Sequence, residues 1–228
     1  LINVPIAISK NRISAGKLIL QRYKLDVILL DDGYQHRYIR RDINILLINS
    51  LDKKQNHQLL PVGDLRESWS NIKRSDYIIL TKTNLLTEKN EYINNKLKNF
   101  PNVFISESSN KIANKMNNRD FLLKDLEEKG CILLSGIGDP KSFDVTSKKL
   151  GLNIKGHLQL RDHFIYNKDN IKKILEYVKM KNAAFILTTE KDMVKLKRLD
   201  IKLPIIALEL VFIIKDKVKA QNLLSSIV

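Results

Sequence analysis

Leu25-Asp-Val-Ile-Leu-Leu-Asp-Asp-Gly-Tyr-Gln-His36 is an apolar, β-branched run that closes on two consecutive carboxylates and a glycine turn. Short apolar runs bounded by turn residues read as buried strands. In parallel sheets ligands gather at the carboxyl ends of the strands. Asp31 and Asp32 therefore stand where phosphoryl-transfer enzymes hold a nucleotide-bound Mg²⁺ through hard oxygen ligands. A plain Asp-Asp-Gly turn is the alternative, because both residue types favour turns for conformational reasons of their own. Gln35, His36, Arg40, Arg41 and Asp42 follow within the same segment, and that density of functional side chains favours a site.

Outward from this segment, similar runs recur at 43–48, 77–80, 103–105, 131–134, 185–187 and 205–208, with polar, Lys-rich stretches between them. Together with 27–30 they read as strands. Three helices are marked. Asp139 as N-cap and Pro140 as first residue open a helix over 141–150 that Gly151 closes. A second covers 169–180 with Ile171, Ile174, Leu175 and Val178 on one face, and a third covers roughly 88–98. Strands alternating with helices predict an α/β fold with parallel sheets. Between 106 and 129 the periodicity lapses into Asn- and Lys-rich sequence, which places the boundary of two lobes at 1–108 and 130–228, joined by a linker over 109–129.

Lys and Arg number 40 against 25 Asp and Glu, a net charge of +15, so nucleic acid, nucleotide phosphates and anionic lipid are all admissible partners. Aromatics at 7%, without an RRM, KH or zinc-finger pattern, count against a nucleic-acid reader. The one cysteine, Cys131, excludes an internal disulfide and argues against a zinc cluster. No stretch reaches the roughly 18 to 20 apolar residues of a membrane-spanning helix, so the chain reads as soluble or peripheral. It begins with Leu1 rather than Met, as if cut from something longer.

Four further segments carry candidate chemistry. Leu59-Leu-Pro-Val-Gly-Asp-Leu-Arg-Glu67 presents Arg66, a planar fork for phosphate oxygens, beside Glu67, a carboxylate for a metal or its water; a surface ion pair is the competing reading. Leu134-Ser-Gly-Ile-Gly-Asp-Pro140 reads first as a tight strand-to-helix turn and second as a phosphate contact. Arg161-Asp-His163 sets a histidine beside a carboxylate, which suits proton transfer and also an ordinary loop histidine. Thr188-Thr-Glu-Lys-Asp192 ends a strand and starts a helix, as a capping arrangement does.

Taken in order, DDGYQH with the following RRD, then LPVGDLRE, SGIGDPKSF, the RDHF loop and TTEKDMVKL, the chain resembles the tetraacyldisaccharide 4'-kinases, the lipid A kinases. The resemblance implies a P-loop-NTPase-like parallel sheet lobe, incomplete here, plus a second, smaller α/β lobe. It implies ATP and Mg²⁺ as cofactors and a lipid A disaccharide precursor as acceptor of the γ-phosphate at its 4'-hydroxyl. It also implies an anionic membrane surface as partner, at the cytoplasmic face of the bacterial inner membrane, and no nucleic acid. Carried over, Asp31 and Asp32 are Walker-B carboxylates at Mg²⁺ with Glu67 as a further ligand, and Gln35, His36, Arg40 and Arg66 bind substrate or nucleotide. Asp162 and His163 are the catalytic Asp-His pair, whose histidine assists an aspartate base, and closure of the lobes would assemble the site.

One departure stands out. The family's phosphate-binding G-x-x-x-x-G-K-[ST] loop has no counterpart here, since Arg12-Ile-Ser-Ala-Gly-Lys17 lacks the first glycine and the final Ser or Thr. That loop, the aspartate base and a membrane helix belong upstream of Leu1 in the family. The expectation is a truncated kinase with little activity alone, restored by the missing portion. The alternative is a non-catalytic lipid- or nucleic-acid-binding basic α/β protein.

Overall fold

A computed structural model describes residues 4–112, 126 and 128–227. The chain divides into two compact units, Leu1–Glu107 with Ile214–Val228, and Ser108–Ile213.

In the first unit, strands β1 (Ile45–Asn49), β2 (Tyr77–Thr81) and the first part of β3 (Val103–Ile112) lie in the order β1-β2-β3, parallel at each pairing, with Leu47 opposite Ile79 and Ile79 opposite Phe104. Burial alternates along β1 and β2, so Ile48, Ile78 and Leu80 enter a core with Ile93 and Leu97. Those last two sit four residues apart, on one face of helix α2 (Glu91–Leu97), which Asn90 caps by accepting from the amide of Ile93. Helix α1 (Arg12–Arg22), opened by the Asn11 side chain, and helix α6 (Lys217–Ser225), opened by Asp216, complete the unit; neither was marked by the periodicity.

The strand expected over 27–30 is not formed. Among the described residues that run has no ladder partner, and Val27, Ile28 and Leu29 are exposed, Leu29 at 88%. Apolar character supplies a reason to bury a segment, but a strand exists only through backbone hydrogen bonds to a neighbour, and among those residues this run forms none although the outer edge of β1 is open. Asp31 and Asp32 consequently lie in a turn-rich loop over 31–42 instead of at a strand end.

In the second unit, strands β4 (Cys131–Ser135), β5 (Ile154–Gln159), β6 (Phe185–Thr189) and β7 (Ile205–Ile214) lie in the order β7-β6-β4-β5, all parallel. Every residue of β4 is buried. Its alternating side chains serve two cores: Ile132 and Leu134 pack with Ile171, Ile174 and Val178 of helix α4 (Lys168–Met180), while Cys131 and Leu133 pack with Phe143 of helix α3 (Pro140–Lys148). A central strand covered on both faces is the reason these runs are continuously apolar. Each such side chain contributes roughly 1.5–3 kcal/mol on burial. Helix α5 (Glu190–Leu196) follows β6 directly.

The caps agree with the sequence. Asp139 accepts from the amide of Ser142 at 3.0 Å, Pro140 takes the first helical position, and Gly151 turns out of the helix at φ +75°. Asn167 and Asn170 form a reciprocal capping box at α4. Strand β5 escaped the sequence reading, because Ile-Lys-Gly-His-Leu-Gln is a half-buried edge with no apolar run. The expected linker over 109–129 lies mostly outside the described residues. Residues 214–228, which the sequence reading grouped with the second lobe, are tied to the first unit: the Lys215 amide donates to the Ile105 carbonyl at 3.0 Å and Lys215 Nζ stands 2.8 Å from Glu107.

A buried polar group between β4 and β5 gives this unit a pH dependence. Ser135 Oγ lies 2.8 Å from His157 Nε2, and burial lowers the His157 imidazole below its ordinary 6.5 despite Asp144 nearby. The row Ser135, His157, Asp144 follows the order of a hydrolase triad, but Ser135 is 0% exposed, so no substrate reaches it and the contact is structural. Because the folded state prefers the neutral ring, stability is full above about 6.5 and declines as pH falls through the lowered folded value. Urea unfolding between pH 8 and 5 is expected to show that decline, and His157→Gln is expected to reduce it.

Candidate functional site

In the first unit the two sequence motifs meet. Arg66 Nη1 donates to Asp32 Oδ2 at 2.8 Å, joining the loop over 31–42 to the loop over 59–67, and this hydrogen bond raises the Arg66 guanidinium further above its ordinary value. Gly63 is required in the second loop, since a Cβ there would sit 2.5 Å from the Gln58 carbonyl and 2.8 Å from that of Asn56. Glu67, expected beside Asp31 and Asp32, instead pairs with Arg74 Nη2. The Arg74 guanidinium also lies 4.5 Å over the Tyr34 ring, whose hydroxyl donates to the Asn71 carbonyl at 2.6 Å. Arg41 donates to the Gly33 carbonyl and, at 3.5 Å, to that of Tyr34, which fixes the glycine turn.

Asp31, Asp32, Gln35 and Arg40 are exposed, and the His36 ring packs edge-on against Tyr38, with Nδ1 3.0 Å from its hydroxyl. Among the described residues, no three His, Cys, Asp or Glu side chains stand together as a metal cluster. Asp31 and Asp32 are exposed carboxylates of the hard-oxygen kind that Mg²⁺ on a nucleotide takes, one or two from a protein with phosphate oxygens and water in the remaining positions, and Asp32 Oδ2 is held by Arg66.

The second unit holds the Asp-His pair in the loop between β5 and α4. Asp162 Oδ2 is 3.8 Å from His163 Nε2, and Oδ1 accepts from the His163 amide and from Lys191 Nζ, both at 2.9 Å. The hydrogen bond from Lys191 is the main reason the Asp162 carboxyl is held below its ordinary range. The imidazole is 78% exposed and so open to a ligand. Non-glycine residues rarely adopt positive φ, yet Asp32 (48°) and His163 (58°) both do. Both were singled out from sequence.

Sequence reasoning missed Arg74, Lys191 and Lys195. For Arg74 no signal existed, since a basic residue ending a short helical turn is commonplace. For the two lysines the TTEKD motif was the signal. Its capping role is present, Thr189 Oγ1 accepting from the Asp192 amide at 3.2 Å, but the cap concealed what the neighbouring side chains hold.

Comparison with known proteins agrees with the sequence order. The family model described as LpxK, tetraacyldisaccharide-1-P 4'-kinase, matches residues 1–228. The tetraacyldisaccharide 4'-kinase of Bdellovibrio bacteriovorus is 31% identical over 202 residues, covering 86% of this chain and 58% of that protein. That of Aquifex aeolicus is 31% identical over 220 residues, covering 96% and 61%. The crystal structure of Aquifex aeolicus LpxK in complex with ATP superposes with a TM-score of 0.66 at 27% identity, over 95% of this chain and 62% of that one. The chain thus spans a little over half the length of the curated relatives it matches.

Fold and motifs together define a mixed α/β protein of parallel sheets in the P-loop-NTPase-like manner of LpxK. Matched over its whole length, the chain belongs to the tetraacyldisaccharide-1-P 4'-kinase family.

Proposed function

We propose that this chain serves in ATP-dependent phosphorylation of the 4'-hydroxyl of a tetraacylated glucosamine disaccharide 1-phosphate, a step of lipid A biosynthesis. The observation that carries the reading is the family match across residues 1–228. In the first unit, Asp31 and Asp32 would hold Mg²⁺, which when bound neutralises charge on the transferring phosphates. Arg66 and Arg40 offer guanidinium forks to phosphate oxygens, with Gln35 and His36 alongside in the same loop. Arg74 pairs with the Glu67 carboxylate and so orders the loop, and Glu67 would add a carboxylate near a bound metal.

In the second unit, His163 would assist removal of the 4'-hydroxyl proton, with Asp162 stabilising the imidazolium that results. No helix among the described residues is long and apolar enough to cross a membrane. Peripheral attachment at the cytoplasmic face of the inner membrane is supported by the +15 charge, each Lys or Arg near an anionic surface contributing about 1 kcal/mol.

The test is transfer from γ-labelled ATP to the tetraacyldisaccharide 1-phosphate. It uses the 228-residue chain alone and the chain joined to the N-terminal segment of the Aquifex aeolicus relative. The joined protein is expected to transfer phosphate and the chain alone to transfer little, with Asp31→Asn/Asp32→Asn removing the activity of the joined form. Absence of transfer by the joined protein, with retention on acceptor-loaded liposomes, would favour a non-catalytic lipid binder instead.

A further inference from the structure

The helix after β6 is unused by the function above, yet two of its side chains hold the loop that carries the Asp-His pair and a third braces them from beneath. Lys191 Nζ donates to Asp162 Oδ1 at 2.9 Å. One turn later, Lys195 Nζ donates to the Phe164 carbonyl at 3.2 Å and stands 3.3 Å from Asp192 Oδ1. Asp192, 0% exposed, accepts through Oδ2 from the Gly136 amide at 2.8 Å and from Thr189 Oγ1 at 3.0 Å. Gly136 in turn leaves no slack, since a Cβ there would meet Asp192 Oδ1 at 3.1 Å and Phe164 Cβ at 3.2 Å. The SGIGDP turn, the RDHF loop and the TTEKD helix are therefore one hydrogen-bonded assembly.

We propose that Lys191 is a positioning residue for the Asp162–His163 pair: by occupying Oδ1 it leaves Oδ2 as the oxygen that faces the imidazole, while Lys195 and Asp192 hold the backbone beneath. Its bearing on catalysis rests on the proposed role of His163. The geometry explains why a lysine is needed. Asp162 is 43% exposed and without Lys191 would be held at Oδ1 by the His163 amide alone among the described hydrogen bonds, while His163 itself sits at a positive φ, which is uncommon for a non-glycine residue.

The groups facing Asp162 are few. They are Lys191 from α5, the amide and ring of His163 within the loop, and the backbone at Gly138, where a Cβ would lie 3.5 Å from Oδ2. Arg161 precedes it as an exposed neighbour in the chain, and Asp192 and Lys195 are engaged with each other on the same helix as Lys191. The lowered Asp162 carboxyl, due first to Lys191, agrees with this arrangement.

Two measurements test it. Carbon-13 NMR titration of the Asp162 side chain in the 228-residue chain is expected to show the midpoint moving up toward ordinary carboxylate values in Lys191→Met and staying low in Lys191→Arg. In the joined, active protein, Lys191→Met is expected to lower kcat by about ten- to a hundredfold with KM for ATP unchanged. The acid limb of its rate profile should move to higher pH, and Lys191→Arg should recover most of the rate. An unmoved Asp162 midpoint in Lys191→Met, or a rate loss that only tracks a lowered melting temperature, would overturn the proposal. A full rate in His163→Ala would instead defeat the assignment of His163, with the titration still deciding whether Lys191 controls Asp162.

Discussion

Replacing His163 by alanine in the joined, active protein is expected to slow phosphoryl transfer by about 10²- to 10⁴-fold, the usual contribution of a positioned acid-base group. The folded chain should scarcely register the change. The side chain is 78% exposed and its one charged neighbour, Asp162, keeps its bond to Lys191 when the ring is gone. The backbone at φ 58° is the complication, because alanine tolerates the left-handed region poorly. His163→Asn resolves it: asparagine accepts that conformation, but its amide neither takes up nor releases a proton at neutral pH. Both variants should lose rate alike while melting within a few degrees of the parent. Retention of the parent rate by His163→Asn would show that the loop, and not the imidazole, serves the reaction.

Asp192→Ala should do the opposite, unfolding the second unit more easily by about 3 kcal/mol in urea titration. Its carboxylate is wholly buried and satisfies the Gly136 amide, the Thr189 hydroxyl and Lys195. Alanine would leave a buried N–H without an acceptor and a half-buried ammonium without its counter-charge, and the two losses act in the same direction. Asp192→Asn keeps an oxygen for the Gly136 amide and should recover a good part of the loss. A change below about 1 kcal/mol for the alanine variant would mean that water or a shifted turn replaces the carboxylate at little cost.

The same residue shows how far the sequence could be read. Thr189 and Asp192 announce a helix start through the chemistry of caps, and the helix is there. That the Asp192 carboxylate also closes on Gly136, fifty-six positions earlier, is a property of β4 and β6 being neighbours. Burial separates similar segments in the same way. Residues 27–30 and 131–134 are both short aliphatic runs, yet the second is a central strand between two helical layers and the first lies on the surface without a ladder. Glu67 was expected at a metal because it is a carboxylate in a motif that matches the family. The fold turns the two apart, Arg66 to Asp32 and Glu67 to Arg74, since consecutive side chains in an extended loop point in different directions.

The sequence by itself determined the caps, most of the strands of both units, the α/β class and the family, because each rests on local chemistry or on the order of motifs along the chain. Tertiary structure alone decided which carboxylate meets which cation, that the last fifteen residues join the first unit, and that Lys191 grips Asp162. Asp32 with Arg66 and Asp162 with Lys191 join residues thirty-four and twenty-nine positions apart, and no local rule of helix, strand or turn spans that distance.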